Sequence, residues 1–194
     1  MPWTVPGRKP TPAEYWDSTY KDVGKWSHQK GGEKLRTRQA LQLMAGVYGK
    51  HVVDLGGGPL LGQALFANGA GKVLVVDHSI AGCELAKCIE PRVDVLVEDV
   101  TRFLDTNLER FDFTVAMGIL DYVPHGFLQQ LFEKAPSDEL VINTPVCEAY
   151  IHQYDTRVCV SSRKDIADAV EKYGWWLECE FPSPEHVFAK YKRN

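Results

Sequence analysis

The chain has 194 residues, 44% hydrophobic and 25% charged, the composition of a soluble globular protein with room for one well-buried domain rather than two. A formal net charge of −4 gives no global attraction to phosphate backbones or anionic membranes, and no apolar run reaches the length of a membrane span. The five cysteines include no C-x-x-C pair and Met1–Pro6 lacks the regions of a signal peptide, so a disulfide framework, a structural zinc and secretion are not expected; the cytoplasm is.

Residues 1–32 carry prolines at 2, 6, 10 and 12, then the aromatics Tyr15, Trp16, Tyr20 and Trp26, and end at Gly31-Gly32. With no helical or strand period, they predict an extended arm lying on a domain formed by residues 33–194. Its aromatics staple it to that domain, or alternatively close over it as a lid. From Glu33, Leu35, Ala40, Leu41, Met44, Val47 and Tyr48 share one face of a helix. Strands are predicted at 51–55, 72–76, 93–97, 111–117 and 139–143, and helices at 60–69, 80–89, 124–134 and 162–173. Ser162 and Asp165 form a capping signal for the last helix, and Gly174 stops it. Runs such as Val73-Leu74-Val75-Val76 read as strands buried on both faces; joined by helices, they imply a parallel sheet. Trp175–Phe181 and His186–Lys192, separated by Pro182-Ser183-Pro184, predict a terminal antiparallel hairpin.

The segment from Val52 to Gly62 reads as a buried strand breaking into the glycine turn Gly56-Gly57-Gly58 and then a helix. Glycine lets backbone pass close to a ligand, and Asp77, ending the next strand, can accept hydrogen bonds from both hydroxyls of a ribose. An adenosine-containing cofactor is expected. The spacing departs from the dinucleotide pattern, with Leu61 in the third glycine position and Gly62 one place late, where it suits helix packing. Asp54, just before the turn, would repel a pyrophosphate and welcome a cationic amino acid moiety. S-adenosylmethionine is therefore favoured over NAD or FAD.

Taken together, residues 33–192 resemble a class I S-adenosylmethionine-dependent methyltransferase of the small-molecule type. Asp54 with Gly56, Gly57 and Gly58 resembles the first motif of that family, and Asp77 with His78 the second. Glu98-Asp99-Val100 resembles the third, implying Asp99 towards the adenine amine and Val100 against the ring. Phe111 to Leu120, with Met117 ending the run, resembles the fourth strand and its loop, and the terminal hairpin is similar to the sixth and seventh strands. The resemblance implies a Rossmann-like, doubly wound, mostly parallel seven-stranded sheet and methyl transfer to an oxygen or nitrogen atom.

A group that orients or deprotonates the acceptor is expected after the fourth strand, because ligands of open α/β sheets sit at the carboxyl ends of strands. Asp121, Tyr122 and His125 fall there; turn formation, packing and simple solvation are their bland alternatives. His152 and Tyr154 are weaker candidates. No metal site is expected. The loop lacks the double proline of nucleic-acid amine methyltransferases, so the expected partner is a small-molecule acceptor, with no nucleic acid or membrane. A protein substrate and a non-catalytic cofactor-binding subunit stay open as alternatives. Lys190, Lys192 and Arg193 read as a solvated tail.

Overall fold

Alternating apolar runs and helices build one sheet. The computed structural model describes residues 11–120, 122–124, 126–146 and 161–194, with backbone alone at 12, 23–30, 32 and 33. The elements run α1 (Pro12–Lys21), α2 (Val23–Leu43), β1 (His51–Leu55), α3 (Leu61–Ala67), β2 (Lys72–Asp77), α4 (Ile80–Ile89) and β3 (Asp94–Val97). They continue α5 (Val100–Thr106), β4 (Phe113–Met117), α6 (Phe127–Lys134), β5 (Glu139–Pro145), α7 (Arg163–Lys172), β6 (Trp175–Phe181) and β7 (His186–Arg193).

The strand order is β3-β2-β1-β4-β5-β7-β6. Strands β1 to β5 pair in parallel, and β7 runs antiparallel to both β5 and β6. This is the doubly wound sheet with its antiparallel hairpin. Successive strand side chains point to opposite faces, so each central strand feeds two cores. Val53, Leu55 and Ile142 join α5, α6 and α7 on one face through Phe103, Phe127, Phe132 and Ile166. Val52, Val73 and Val141 join α2 and α3 on the other through Met44, Leu61 and Leu65. Each fully buried aliphatic or aromatic side chain here contributes about 1.5–3 kcal/mol of transfer free energy.

From Pro12 onward the N-terminal segment is helical, not extended. Thr11 Oγ1 accepts from Glu14 N at 3.3 Å while Glu14 Oε2 accepts from Thr11 N at 2.8 Å, a reciprocal capping box. Pro12 sits in the first turn, where a missing N–H costs nothing. Helix α2 then runs through Gly31-Gly32, although each glycine is about 1 kcal/mol poorer than alanine in a helix, and so crosses the boundary expected at residue 33. Its buried stripe is Ala40, Leu43 and Met44, continued by Val47, whereas Leu35 and Tyr48 are 55% and 84% exposed.

Two further differences bear on the site. Helix α5 is additional to the expected elements: Asp99 caps it, accepting from Thr101 N at 2.8 Å and Arg102 N at 3.3 Å. Helix α6 starts at Phe127 rather than Pro124, after Gly126 in the left-handed region at φ 95°. At the hairpin, Lys190 is buried against the Phe113 ring and pairs with Glu139 at 2.5 Å and Glu178 at 2.8 Å. Arg193 lies over Trp175 and donates to the Phe132 carbonyl. These cations are built into the sheet and do not form a solvated tail.

Candidate functional site

The strand order reverses between β1 and β4, each of which has a neighbour whose connection leaves in the opposite sense. The loops after their carboxyl ends therefore splay apart and leave a crevice. Its walls are Asp54, Gly56, Gly58 and Leu61 from β1 and its turn, Asp77 and His78 from β2, and Val100 at the start of α5. Met117, Gly118, Ile119 and Tyr122 follow β4, and Arg36 and Thr37 come from α2, with Trp16 and Tyr20 from α1.

Backbone geometry explains the glycines. Gly56 has φ +66°, and a Cβ there would be driven into the Ile119 side chain. Gly57 does not line the crevice. It lies against Asp54, whose carboxylate would meet any Cβ at that position. The turn thus folds tightly around an almost fully buried acid, 1% exposed. Gly62 faces Val93, a Cβ coming within 2.6 Å of its Cγ2, which is the packing role its position suggests.

Asp77 is 7% exposed, and burial pushes its carboxyl up to about 6. The backbone N–H of Ser79 donates to Asp77 Oδ1 at 2.8 Å and, with the neighbouring His78, opposes that rise; the charge on Asp17 adds to it. Ser79 in turn caps α4 through Gly82 N at 3.0 Å. Asp77 consequently supports the start of α4 while facing the crevice.

Helix α1 packs on α4 and contributes Trp16 and Tyr20 to the crevice lining. Asp17 Oδ1 accepts from Ser79 Oγ at 2.6 Å and Ala81 N at 3.1 Å, pinning α1 to the first turn of α4. Burial works against the charge on Asp17, but the hydrogen bonds from Ser79 and Ala81 and the nearby Lys21 hold its carboxyl below the usual range. Tyr20 packs over Gly82, where a Cβ would come within 2.9 Å of its ring. Trp16 stacks on Tyr20 at 5.6 Å and meets Tyr122 edge-on at 5.6 Å, bridging α1 to the loop after β4. Trp16 and Tyr20 thus hold the N-terminal segment down and line the crevice at once.

Of the residues expected in the site, Asp54, Gly56, Gly58, Asp77, His78, Val100, Met117 and Tyr122 meet at one crevice. Asp99 is occupied as the α5 cap, its carboxylate also accepting from Thr101 Oγ1, and does not line it. Asp121, His125, His152 and Tyr154 lie outside the described residues. Arg36, Thr37, Leu61, Gly118 and Ile119 are additional. No cluster of potential metal ligands occurs among the described residues.

This is the fold of the S-adenosylmethionine-dependent methyltransferases, and several solved structures share it over nearly their full lengths. A magnesium protoporphyrin IX methyltransferase from Synechocystis PCC 6803, with S-adenosylhomocysteine bound, superposes with a TM-score of 0.71, covering 92% of each chain at 15% identity. The N-methyltransferase NodS from Bradyrhizobium japonicum WM9, also with S-adenosylhomocysteine, gives 0.69 over 95% of this chain and 99% of its own, at 13% identity. A TehB-like methyltransferase from Corynebacterium glutamicum gives 0.69 over 93% and 99%, at 19% identity. No protein-family model and no curated protein matches the sequence.

Proposed function

We propose that the protein transfers the methyl group of S-adenosylmethionine to an oxygen or nitrogen atom of a small molecule. The observation that carries this reading is the placement of a buried acid, a glycine turn and a second buried acid along one crevice at the sheet's switch point. The residues fit the cofactor. Asp54 offers an anion to the methionyl ammonium, the turn gives room for the chain of the amino acid, and Asp77 faces the ribose. Val100 and Met117 supply apolar surface beside it.

When bound, the sulfonium supplies a methyl carbon already activated for in-line displacement. What the chain must add is mainly alignment and the exclusion of water. Asp54 and Asp77 fix the two ends, and the packed rings of Trp16, Tyr20 and Tyr122 line the crevice. A crevice lined by three packed rings suits a small acceptor better than a nucleic acid or a protein surface, and the net charge of −4 points the same way. No described helix is long and apolar enough to cross a membrane. A cytoplasmic setting accords with the unpaired Cys83, Cys88 and Cys179. Asp121 is the residue proposed to orient or deprotonate the acceptor, with Tyr122 and His125, which follow it in the chain, as the other candidates.

Calorimetric titration with S-adenosylmethionine, S-adenosylhomocysteine and NAD tests the reading. Binding of the two sulfur nucleosides alone is expected; binding of NAD, or of none of the three, would remove it.

A further inference from the structure

The sheet ends at β6, and beside that edge lies a second hollow. Helix α7 packs over the hairpin on the face that also holds α5 and α6. Between α7 and the strands runs a groove of about 410 Å³, a size common among small-molecule sites. Its walls are apolar, formed by Ile166 and Val170 from α7, Trp175 and Leu177 from β6, and Val187 from β7. It shares no residue with the crevice at the switch point, so it stands apart from the methyltransferase reading.

Polar groups interrupt these walls at one place. Tyr191 lines the groove and is 4% exposed, its ring held edge-on by Phe132 at 5.3 Å. Among the described residues no hydrogen bond reaches its hydroxyl. A hydroxyl so withdrawn from water is costly without a partner, and one that borders a groove can take that partner from a ligand. Burial, and then the charge on Glu180, push this hydroxyl well above the ordinary tyrosine value, with Arg163 opposing. It is therefore neutral, able to donate or to accept.

Glu180 stands opposite Ala189, two residues before Tyr191, so the acid and the hydroxyl are diagonal neighbours on one face of the hairpin. Arg163 is committed within the chain. Its Nη1 donates to Glu180 Oε1 at 2.7 Å, and its Nη2 donates to the carbonyls of Ser183 and His186. Glu171 adds a second carboxylate to the groove.

This balance selects a head group. A carboxylate or phosphate would meet two like charges and a guanidinium already engaged. An alcohol could use the hydroxyl but would leave the excess negative charge in place. An ammonium suits both groups, donating to Tyr191 Oη and to the Glu180 carboxylate. We propose that the groove between α7 and the β6–β7 hairpin is a second binding site, taking a small molecule with an apolar body and a single ammonium group.

Three compounds that share one body separate the head groups: phenylbutylamine, phenylbutanol and phenylbutyrate, each titrated into the full chain and followed by amide NMR. The amine is expected to shift signals of α7, β6 and β7 and to bind about ten-fold more tightly than the alcohol, while the acid does not bind. Tyr191→Phe keeps the ring on Phe132 and should weaken the amine about ten-fold. Glu180→Gln should do the same; because it also touches Arg163, Tyr191→Phe is the deciding variant. Ala167→Phe, at an exposed position of α7 beside the groove, fills the space and should abolish binding of amine and alcohol alike. The proposal is overturned if the alcohol or the acid binds as well as the amine, or if Tyr191→Phe holds the amine as tightly as wild type. Shifts confined to the Gly56–Gly58 turn, or binding of none of the three, would overturn it equally.

Discussion

Asp77 carries two demands that pull in opposite directions. Burial favours its neutral form, with a carboxyl pushed up to about 6, yet a ribose is held by a carboxylate that only accepts. Cofactor affinity should therefore be full at pH 8 and fall as the pH drops through about 6, which titrations between pH 5 and 8 would show. Asp77→Ala should weaken binding at least ten-fold at pH 8, and unchanged affinity would remove Asp77 from the ribose contact. Without ligand the linkage has the opposite sense. The folded value is raised, so the stability contribution is present below the ordinary aspartate value near 3.8 and is lost as the pH rises through about 6. Gly57 gives a separate test: Gly57→Ala drives a methyl into the Asp54 carboxylate and should abolish nucleoside binding while leaving the sheet's circular dichroism intact. That both acids and the turn share one crevice was legible in the sequence, because each ends a strand of a parallel sheet and so reaches the same carboxyl edge. Arg36 was not, since nothing local marks which turn of a long helix overlooks a crevice formed by strands far along the chain.

At the scale of elements, the clasp between α1 and α4 is the feature most open to test. Asp17 replaces the solvent that would otherwise satisfy Ala81 N and holds Ser79 Oγ. Asp17→Ala should cost about 1 kcal/mol, the usual worth of a capping interaction, and hydrogen exchange across α1 should quicken more than across β1 or β4. The same change removes a negative charge from beside Asp77, so the pH midpoint of cofactor binding should move down. The strands and the α4 and α7 helices follow the sequence closely because their periods are unbroken and Ser162 with Asp165 punctuates α7. Helix α1 was hidden by its prolines, although Thr11-Pro12-Ala13-Glu14 is a capping box in plain letters. Helix α5 was hidden because Asp99 and Val100 already fitted a motif, and Val100, Phe103 and Leu104, spaced three and four apart, passed without weight.

For the whole molecule, the sheet depends on a cross-strand ionic clamp. Lys190 on β7 reaches Glu139 on β5 and Glu178 on β6, and Lys192 reaches Glu178 at 2.8 Å. Burial pulls the Lys190 ammonium down, and its hydrogen bonds with the two glutamates more than offset that, holding it above the usual lysine value. Lys190→Ala removes the buried cation of the clamp, leaving Glu139 only Lys192 at 3.9 Å, and should destabilise the fold by about 2–3 kcal/mol in urea titrations. Lys190→Arg should recover part of that loss.

The place of β7 has a bearing on how the protein comes to be. It is synthesised after β6 yet lies between β5 and β6, so neither neighbour has a partner on that side until the chain has threaded back. During translation the nascent chain therefore presents two open strand edges, β5 and β6, until residues 186–193 have left the ribosome. Chains stopped before His186 should accumulate in aggregates, while supplying the missing strand as a separate peptide should return part of them to solution.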